Sequence, residues 1–266
     1  MGALQHYAGR IPESEIAFTQ ALEALRRTSS TLTLSLASAC ANVSRILQNS
    51  DPTEAESLAR ESERIQQFYN DSERCPETAA RAVGDLAQLH AAHGRTIEAE
   101  ALYRKSIGLK RSLKGSRPLS LAITLDNYQV FLRKQGRIAE ALTLASEALG
   151  LARSMAKVEH SFLASVLNNF AALQIERKEF ADARMLLNEA LLIRRAETPR
   201  DSRRLAILLS SIAALNVAEE DLPEAKAFFE EAISVLEKSG LPAHEMLMQL
   251  RQNVEEIRKE QVNHLI

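Results

Sequence analysis

Tryptophan is absent from this sequence, and glycine (9), proline (7) and aromatic residues (5%) are scarce. So few glycines and prolines cannot turn a chain of 266 residues through many strands, and so few aromatic residues make a thin β-sandwich core. No apolar run approaches the roughly 20 residues that span a bilayer, and the first residues lack the apolar core of a signal peptide. The sequence therefore predicts an all-α protein that makes no membrane contact.

The sequence also lacks an excess of either charge sign. The 33 basic and 35 acidic residues leave a net charge of −2, so composition predicts no nucleic-acid partner. The two cysteines, Cys40 and Cys75, fit neither a disulfide framework nor a zinc-binding spacing. We expect a cytoplasmic protein that holds no metal and no cofactor.

What the sequence does contain is an internal repeat. The segment that starts at Gly94 recurs 42 positions later at Gly136, again at Lys178, and again at Glu220. A further copy begins upstream at Gly9, and a weaker one begins at Ser50. Each copy carries a small, then a larger, then a small residue at helical spacing, which predicts one buried helical face. The three columns are Ser14, Ala55, Ala99, Ala141, Ala183 and Ala225; Phe18, Ala59, Tyr103, Ala145, Leu187 and Phe229; and Ala21, Ser62, Ser106, Ala148, Ala190 and Ala232.

A second apolar pattern precedes each copy and predicts a partner helix. It begins at Val83, Leu125, Leu167 and Leu209, with a looser version at Ala41. We name the first helix of each pair A and the second helix B. Gly94 and Gly136 lie in the short A–B turns and suit the C-cap of the A helix, where a residue in the left-handed conformation is needed. Pro76 and Pro118 occupy equivalent positions at the start of two A helices, where proline is tolerated.

These residues resemble a tetratricopeptide repeat, lengthened from 34 residues to 42, and the long form is similar to the repeats of kinesin light chain. The best copy runs from Val83 to Arg137 and includes GSRP at Gly115–Pro118 and LDNY at Leu125–Tyr128. The resemblance implies a right-handed α–α superhelix, a solenoid of antiparallel helix pairs. We expect the array over residues 1–240, with a partial first repeat and then five helix pairs. A capping helix is expected over residues 241–266, with His244–Glu260 as its helical part.

The same resemblance implies that the A helices line a concave groove that binds a protein or peptide segment. One groove column, which we call the amide column, is rich in amides, and amides can both donate to and accept from a peptide backbone. It contains Asn42, Asp85, Asn127, Asn169, Ser211 and Asn253. The alternative is that these amides hydrogen-bond only to neighbouring helices. The candidate groove residues are Asn42, Arg45, Arg81, Asp85, Gln88, Asp126, Asn127, Arg133, Lys134, Asn168, Asn169 and Ser211.

The groove register differs between the two halves of the chain. The N-terminal half is basic and polar, whereas the C-terminal half is more apolar, with Ile175, Ile207, Ala214 and Val217. One interpretation is a ligand with an acidic part and an apolar anchor. The other is that the apolar residues contact the capping helix.

Basic residues, among them Lys110, Arg194 and Arg195, also cluster at the B-helix ends, which we call the basic rim, and acidic residues cluster at the A–B turns. We interpret this sorting as complementing the helix dipoles and not as a nucleic-acid surface. His90 and His93 lie three positions apart, a spacing that two metal ligands can use, but His90 falls in a packing column and no third ligand is predicted. The sequence contains no phosphate-binding loop and no nucleophile motif, so we expect no enzyme.

The sequence and its resemblance therefore predict a non-catalytic interaction scaffold. The alternative is a peptide-sensing regulatory module of a larger protein. Counting back from Gly9 places Met1 in the middle of an A helix. Self-association through this incomplete N-terminal repeat, around Ile16 and Phe18, is a further expectation.

Overall fold

The computed structural model describes residues 52–71, 76–92, 94–113, 117–156, 159–197, 202–240 and 244–263, and the single positions 20, 23, 40, 43, 44 and 47. Within these ranges the chain forms helices joined by turns, with no strand. The helices are α1 (Pro52–Asp71), α2 (Pro76–Ala92), α3 (Thr96–Ser112), α4 (Pro118–Lys134), α5 (Ile138–Ser154), α6 (His160–Glu176), α7 (Phe180–Glu197), α8 (Ser202–Ala218), α9 (Leu222–Ser239) and α10 (His244–Asn263).

The helix starts follow the sequence repeat. The A helices α2, α4, α6, α8 and α10 begin at residues 76, 118, 160, 202 and 244, each 42 positions after the last. The B helices α3, α5, α7 and α9 begin at 96, 138, 180 and 222 with the same spacing. The predicted alternation of A and B helices is confirmed, and Pro76 and Pro118 are the first residues of their helices, as expected.

Each described A–B turn closes in the same way. Gly94, Gly136, Lys178 and Glu220 all have φ between 62° and 73°, in the left-handed region. The amide of the next residue donates to a carbonyl five positions back, as Arg95 does to His90 at 2.9 Å and Arg137 to Leu132 at 3.0 Å. This pair of features is the Schellman motif that ends helices. The C-cap role predicted for Gly94 and Gly136 is confirmed.

The chain divides into two compact units, Met1–Phe131 and Leu132–Ile266, with the boundary inside α4. In the first unit α2 packs against both α1 and α3. Tyr103 of α3 stacks on Tyr128 of α4 with the ring centroids 5.1 Å apart, and Phe131 completes the aromatic group at 5.6 Å from Tyr103. Ser106 also joins α3 to α2, because its hydroxyl donates to the Ala80 carbonyl at 2.6 Å.

In the second unit the closest partners are the A and B helices of one pair, α6 with α7 and α8 with α9. Successive pairs meet through α5 on α6, α7 on α8 and α9 on α10, and the A helices α6 and α8 also touch directly. Leu250, Val254 and Ile257 of α10 are buried against α8 and α9. The A-helix pattern predicted for His244–Glu260 thus forms a helix that covers the α8–α9 core.

The small–large–small columns form the interior. The described members of all three columns are buried, from Ala55 in α1 to Ala232 in α9. Small residues allow the helices to approach closely, and the larger residue of each set fills the space between them. The copy at Gly9, with Ile16 and Phe18, lies outside the described residues, and so do Cys75 and His93.

Candidate functional site

In the second unit the adjacent A helices α6 and α8 present equivalent residues to solvent. Asn169 and Ser211, 42 positions apart, are both half-buried. Ser211 donates its hydroxyl to the Ile207 carbonyl at 3.2 Å, within its own helix. Beside Ser211, Ile207 is 43% exposed and Val217 is 40% exposed. The A-helix face of this unit therefore combines polar side chains with accessible apolar ones.

Polar atoms without hydrogen-bond partners lie on α6 and at the end of α4. Asn168 is half-buried, and its Oδ1 is shielded from water and accepts no hydrogen bond. Arg133, at the end of α4, donates Nη1 to Glu176 of α6 at 2.5 Å, whereas its buried Nε has no partner. Lys134 is exposed. The Arg133 guanidinium, oriented by Glu176 and partly exposed beside Lys134, is a group that a ligand carboxylate could meet.

In the first unit the A-helix face is more charged. Arg81 of α2 is exposed, and Asp85 and Gln88 are half-buried on the same helix. Asn127 of α4 is half-buried in the register of Asp85. Asp126 is only 6% exposed and accepts a hydrogen bond from Nε2 of Gln129 at 3.1 Å. Asn42 and Arg45 lie outside the described residues.

Two members of the basic rim are not on the surface. Lys110 and Arg194 occupy equivalent positions in α3 and α7, and each is only 3% exposed. The same column holds the buried residues Ala152 and Leu236, and this register could have shown that the column faces inward. Both residues are predicted on the basic rim by their charge, whereas their register places them inside.

The guanidinium of Arg194 fastens α7 to the first turns of α6. It donates to the Ser161 hydroxyl at 2.6 Å, to the Ser161 carbonyl at 2.8 Å and to the Ser165 hydroxyl at 2.7 Å. Glu197 pairs with it at 2.9 Å. Since these partners all lie within the unit, Arg194 acts as a structural link between helices.

The Lys110 ammonium is buried between α3 and α4. It donates to the Ser120 carbonyl at 3.0 Å and to the Thr124 hydroxyl. Gly84 of α2 lets the helices approach closely beside this group, because a Cβ there would come within 3.1 Å of the Ser106 hydroxyl and 3.4 Å of the Thr124 hydroxyl. Burial lowers the pKa of Lys110 from 10.5 to about 8, although the carboxylates of Asp85 and Glu77 oppose the change.

Exposed rim arginines are paired with acidic residues of the next B helix. Arg153 of α5 contacts Glu189 of α7 at 3.0 Å, and Arg195 of α7 contacts Glu231 of α9 at the same distance. Both pairs recur at the 42-residue spacing. The charges sorted to this edge therefore also connect successive repeats.

The turn before α3 holds a further charged group. Arg95 and Arg60 both hydrogen-bond to Glu56, and these bonds lower the pKa of Glu56 from 4.5 to about 2. Nearby His90 is buried, its Nδ1 has no partner, and desolvation lowers its pKa below the usual 6.5. Over the described ranges, no three His, Cys, Asp or Glu side chains are grouped as metal ligands. None of the helices found there is both long and apolar enough to cross a bilayer.

A family comparison matches the tetratricopeptide repeat over residues 162–238. No curated protein matches the sequence. Among solved structures, BtubC (BKLC) from P. vanneervenii aligns with a TM-score of 0.68 at 20% identity, covering 86% of this chain and 91% of that one.

Two further structures share the fold. A single-residue variant of a putative kinesin light chain from Podosopora anserina, with nearly identical TPR-like repeats, has a TM-score of 0.60 at 18% identity and covers 76% of this chain and 95% of that one. The apo form of RapI has a TM-score of 0.61 at 14% identity, and the alignment covers 98% of this chain and 96% of that one. The expected all-α tetratricopeptide solenoid is confirmed. Residues 162–238 are thus tetratricopeptide repeats, and the chain has the repeat fold of kinesin light chain-like proteins.

Proposed function

We propose that the chain is a non-catalytic scaffold that binds an extended protein segment along its A-helix face. The observation that carries this proposal is the pairing of two rows on α6 and α8. The polar row contains Asn169 and Ser211, and the apolar row contains Ile207 and Val217, each at least two-fifths exposed. A peptide in extended conformation needs hydrogen-bond partners for its backbone and apolar contacts for its side chains, and these two rows offer both.

The chemistry of the ligand follows from the exposed side chains of the second unit. Arg133 and Lys134, at the start of the second unit, favour an acidic segment. Ile207, Ala214 and Val217 on α8 favour an apolar anchor. We therefore propose a ligand that carries acidic residues on one side of a short apolar stretch.

The test is a selection of random displayed peptides by the full chain, followed by affinity measurements on the selected peptides. The double variant Asn127→Ala/Asn169→Ala should bind at least about tenfold more weakly, since each lost amide removes hydrogen bonds worth about 0.5–1.5 kcal/mol. The matched control Asn188→Ala removes an exposed amide from the B helix α7 and should bind as the parent does. Equal affinity of the double variant and the control would show that the amide column does not contact the ligand.

A further inference from the structure

On the A-helix face of the second unit, side chains at equivalent positions form parallel rows across α6 and α8. The middle row consists of alanines, with a polar row three residues before it on each helix and an apolar row three residues after it. Residues three apart are neighbours on a helix surface, so the rows lie side by side. Each alanine carries a single methyl group, which lets a ligand backbone approach the helices between the other two rows. The three rows are Asn169 and Ser211, Ala172 and Ala214, and Ile175 and Val217.

The apolar row continues to a positive charge at the end of α4. Arg133 precedes Ile175 by 42 positions, and Ile175 precedes Val217 by the same interval, so the row crosses α4, α6 and α8. All three residues belong to the second unit. The Arg133 side chain is 27% exposed, and its Nη1 donates to Glu176 of α6 at 2.5 Å, which holds the guanidinium at the row. Ile175 is half-buried and Val217 is exposed, so one accessible charge is followed by two accessible apolar side chains.

The spacing of this row matches one turn of a polyproline II helix. Helices α6 and α8 touch directly, and the axes of packed helices lie about 8–10 Å apart. Polyproline II has three residues per turn and rises 3.1 Å per residue, so side chains three residues apart lie on one face about 9 Å apart. A β-strand fits less well, because its residues three apart point to opposite faces and its residues two apart are separated by only about 7 Å.

We propose that this face binds a segment in polyproline II conformation that carries one acidic and two apolar residues, each three positions from the next. The proposal rests on the proposed function and adds the conformation and the spacing of the ligand. The acidic side chain pairs with Arg133, and the apolar side chains contact Ile175 and Val217. Polyproline II has no internal hydrogen bonds, so its backbone N–H groups are open to acceptors. The Ser211 hydroxyl is one such acceptor, since it donates its own hydrogen to the Ile207 carbonyl.

Three synthetic peptides with Gly-Ser flanks test the spacing by fluorescence anisotropy with the full chain. The matched peptide contains Glu-Pro-Pro-Leu-Pro-Pro-Leu, and the second contains the same residues in reverse order, because a polyproline II helix can lie in either direction. The comparison peptide rearranges them as Glu-Pro-Leu-Pro-Leu-Pro-Pro, which keeps the composition and the stiffness but not the spacing. One of the first two should bind at least about tenfold more tightly than the comparison peptide. Equal affinity of all three, or no binding by any of them, would overturn the proposal.

Val217→Arg tests the order of the row. Arg133 occupies the equivalent position in α4, so the repeat accommodates an arginine there. The variant should bind Glu-Pro-Pro-Leu-Pro-Pro-Glu at least about tenfold more tightly than the parent does, because the second acidic residue then faces the new guanidinium. The matched control Ala139→Arg adds an arginine to an exposed position of the B helix α5 and should bind this peptide as the parent does. An unchanged Val217→Arg variant, or a control that gains as much, would rule out the proposed order.

Failure of this inference is distinguishable from failure of the proposed function. The peptides selected from the random display report on both. If they lose affinity for the Asn127→Ala/Asn169→Ala variant but show no acidic and apolar residues at three-residue intervals, the scaffold function stands and the polyproline II ligand is wrong. If their affinity does not depend on the A-helix face, the proposed function fails, and this inference fails with it.

Discussion

At the scale of single residues, Lys110 carries a positive charge into the interior. Its ammonium has two hydrogen-bond partners, the Ser120 carbonyl and the Thr124 hydroxyl. Its pKa is about 8, well below the 10.5 of an exposed lysine, because burial disfavours the charged form. Keeping the charge at neutral pH therefore costs folding free energy.

Lys110→Met should stabilise the chain at pH 7 by about 1–3 kcal/mol. The pKa shift of Lys110 corresponds to a cost of at most about 3 kcal/mol for the buried charge, and the loss of its hydrogen bonds offsets part of the gain. Thr124 keeps a partner, since its hydroxyl lies 3.2 Å from the Ser120 carbonyl. Between pH 8 and 10.5 the unfolded parent binds more protons than the folded one, so its stability rises with pH, whereas that of the variant stays flat by comparison. Urea unfolding at several pH values measures the difference.

The control for this prediction is Lys105→Met, which removes an exposed charge from the same helix. It should leave the pH dependence of the parent unchanged. If Lys110→Met destabilises the chain at pH 7, the buried charge contributes more through its hydrogen bonds than its desolvation costs.

His90 should make the chain sensitive to acid. Its folded pKa lies below the usual 6.5, so the unfolded chain binds more protons below that pH, and stability falls as the pH decreases from about 6.5. His90→Gln places at this position the residue found at the equivalent Gln174, and it should lose less stability between pH 7 and pH 5. Thermal unfolding across this range measures the effect. An identical acid response of His90→Gln and the exposed-site control His160→Gln would contradict it.

The residue patterns of the sequence predicted which apolar residues form the core, but they did not predict which charged residues are buried. The small–large–small columns could be predicted because burial at helical spacing leaves a periodic trace in residue size. Lys110 and Arg194 were missed because each long side chain finds its partners in a neighbouring helix, and only the packed structure brings Ser161 and Ser165 within reach of Arg194.

At the scale of the elements, the A–B turns share one geometry but not one residue. Lys178 and Glu220 have left-handed φ values of 62° and 64°, where Gly94 and Gly136 stand in the other repeats. A non-glycine residue in this conformation is strained by about 1–2 kcal/mol. Part of that strain is offset because glycine loses more entropy on folding.

Lys178→Gly and Glu220→Gly should therefore each stabilise the chain by about 0.5–1 kcal/mol. Gly136→Ala should destabilise it by about 1 kcal/mol, because alanine does not readily adopt φ of 73°. Gly150→Ala is the opposing control: Gly150 lies inside α5 with open space around it, and alanine should stabilise the helix by about 0.5–1 kcal/mol. Chemical denaturation of the four variants measures the change in the free energy of unfolding. It shows whether the left-handed turn conformation decides if glycine stabilises or destabilises the chain.

Helix α10 covers the core formed by α8 and α9 with only a few apolar contacts. Leu250→Ala should destabilise the chain by about 2–3 kcal/mol, because Leu250 is buried and its truncation leaves a cavity. Met248→Ala, on the same helix but 59% exposed, should change stability by less than about 0.5 kcal/mol. Equal effects of the two variants would mean that α10 does not hold its position on α9.

Element positions were the most predictable part of the structure. The 42-residue period alone predicted the alternation of helices, and the structure starts each A helix at that spacing. The left-handed conformation of Lys178 and Glu220 was predictable only by alignment with Gly94 and Gly136, since neither residue favours it alone. Tertiary packing of equivalent helices enforces the same turn on a different sequence.

At the scale of the whole molecule, the fold was predictable and the partner was not. The architecture of a repeat protein can be predicted from its sequence, because each helix pair must bury the same face against its neighbours. A binding face has no such constraint, and similar folds carry many different ligands. The candidate residues on α2, α4, α6 and α8 therefore remain a prediction, supported by the partial or full exposure of all of them except the buried Asp126.

Site-specific photocrosslinking tests the central claim most directly. A photoreactive amino acid replaces Ser211 on the A helix α8 in one variant and Ser146 on the B helix α5 in the matched variant, and each is irradiated with a selected peptide bound. We predict crosslinks from position 211 to the apolar stretch of the peptide and none from position 146. Crosslinks from position 146 alone would contradict binding on the A-helix face.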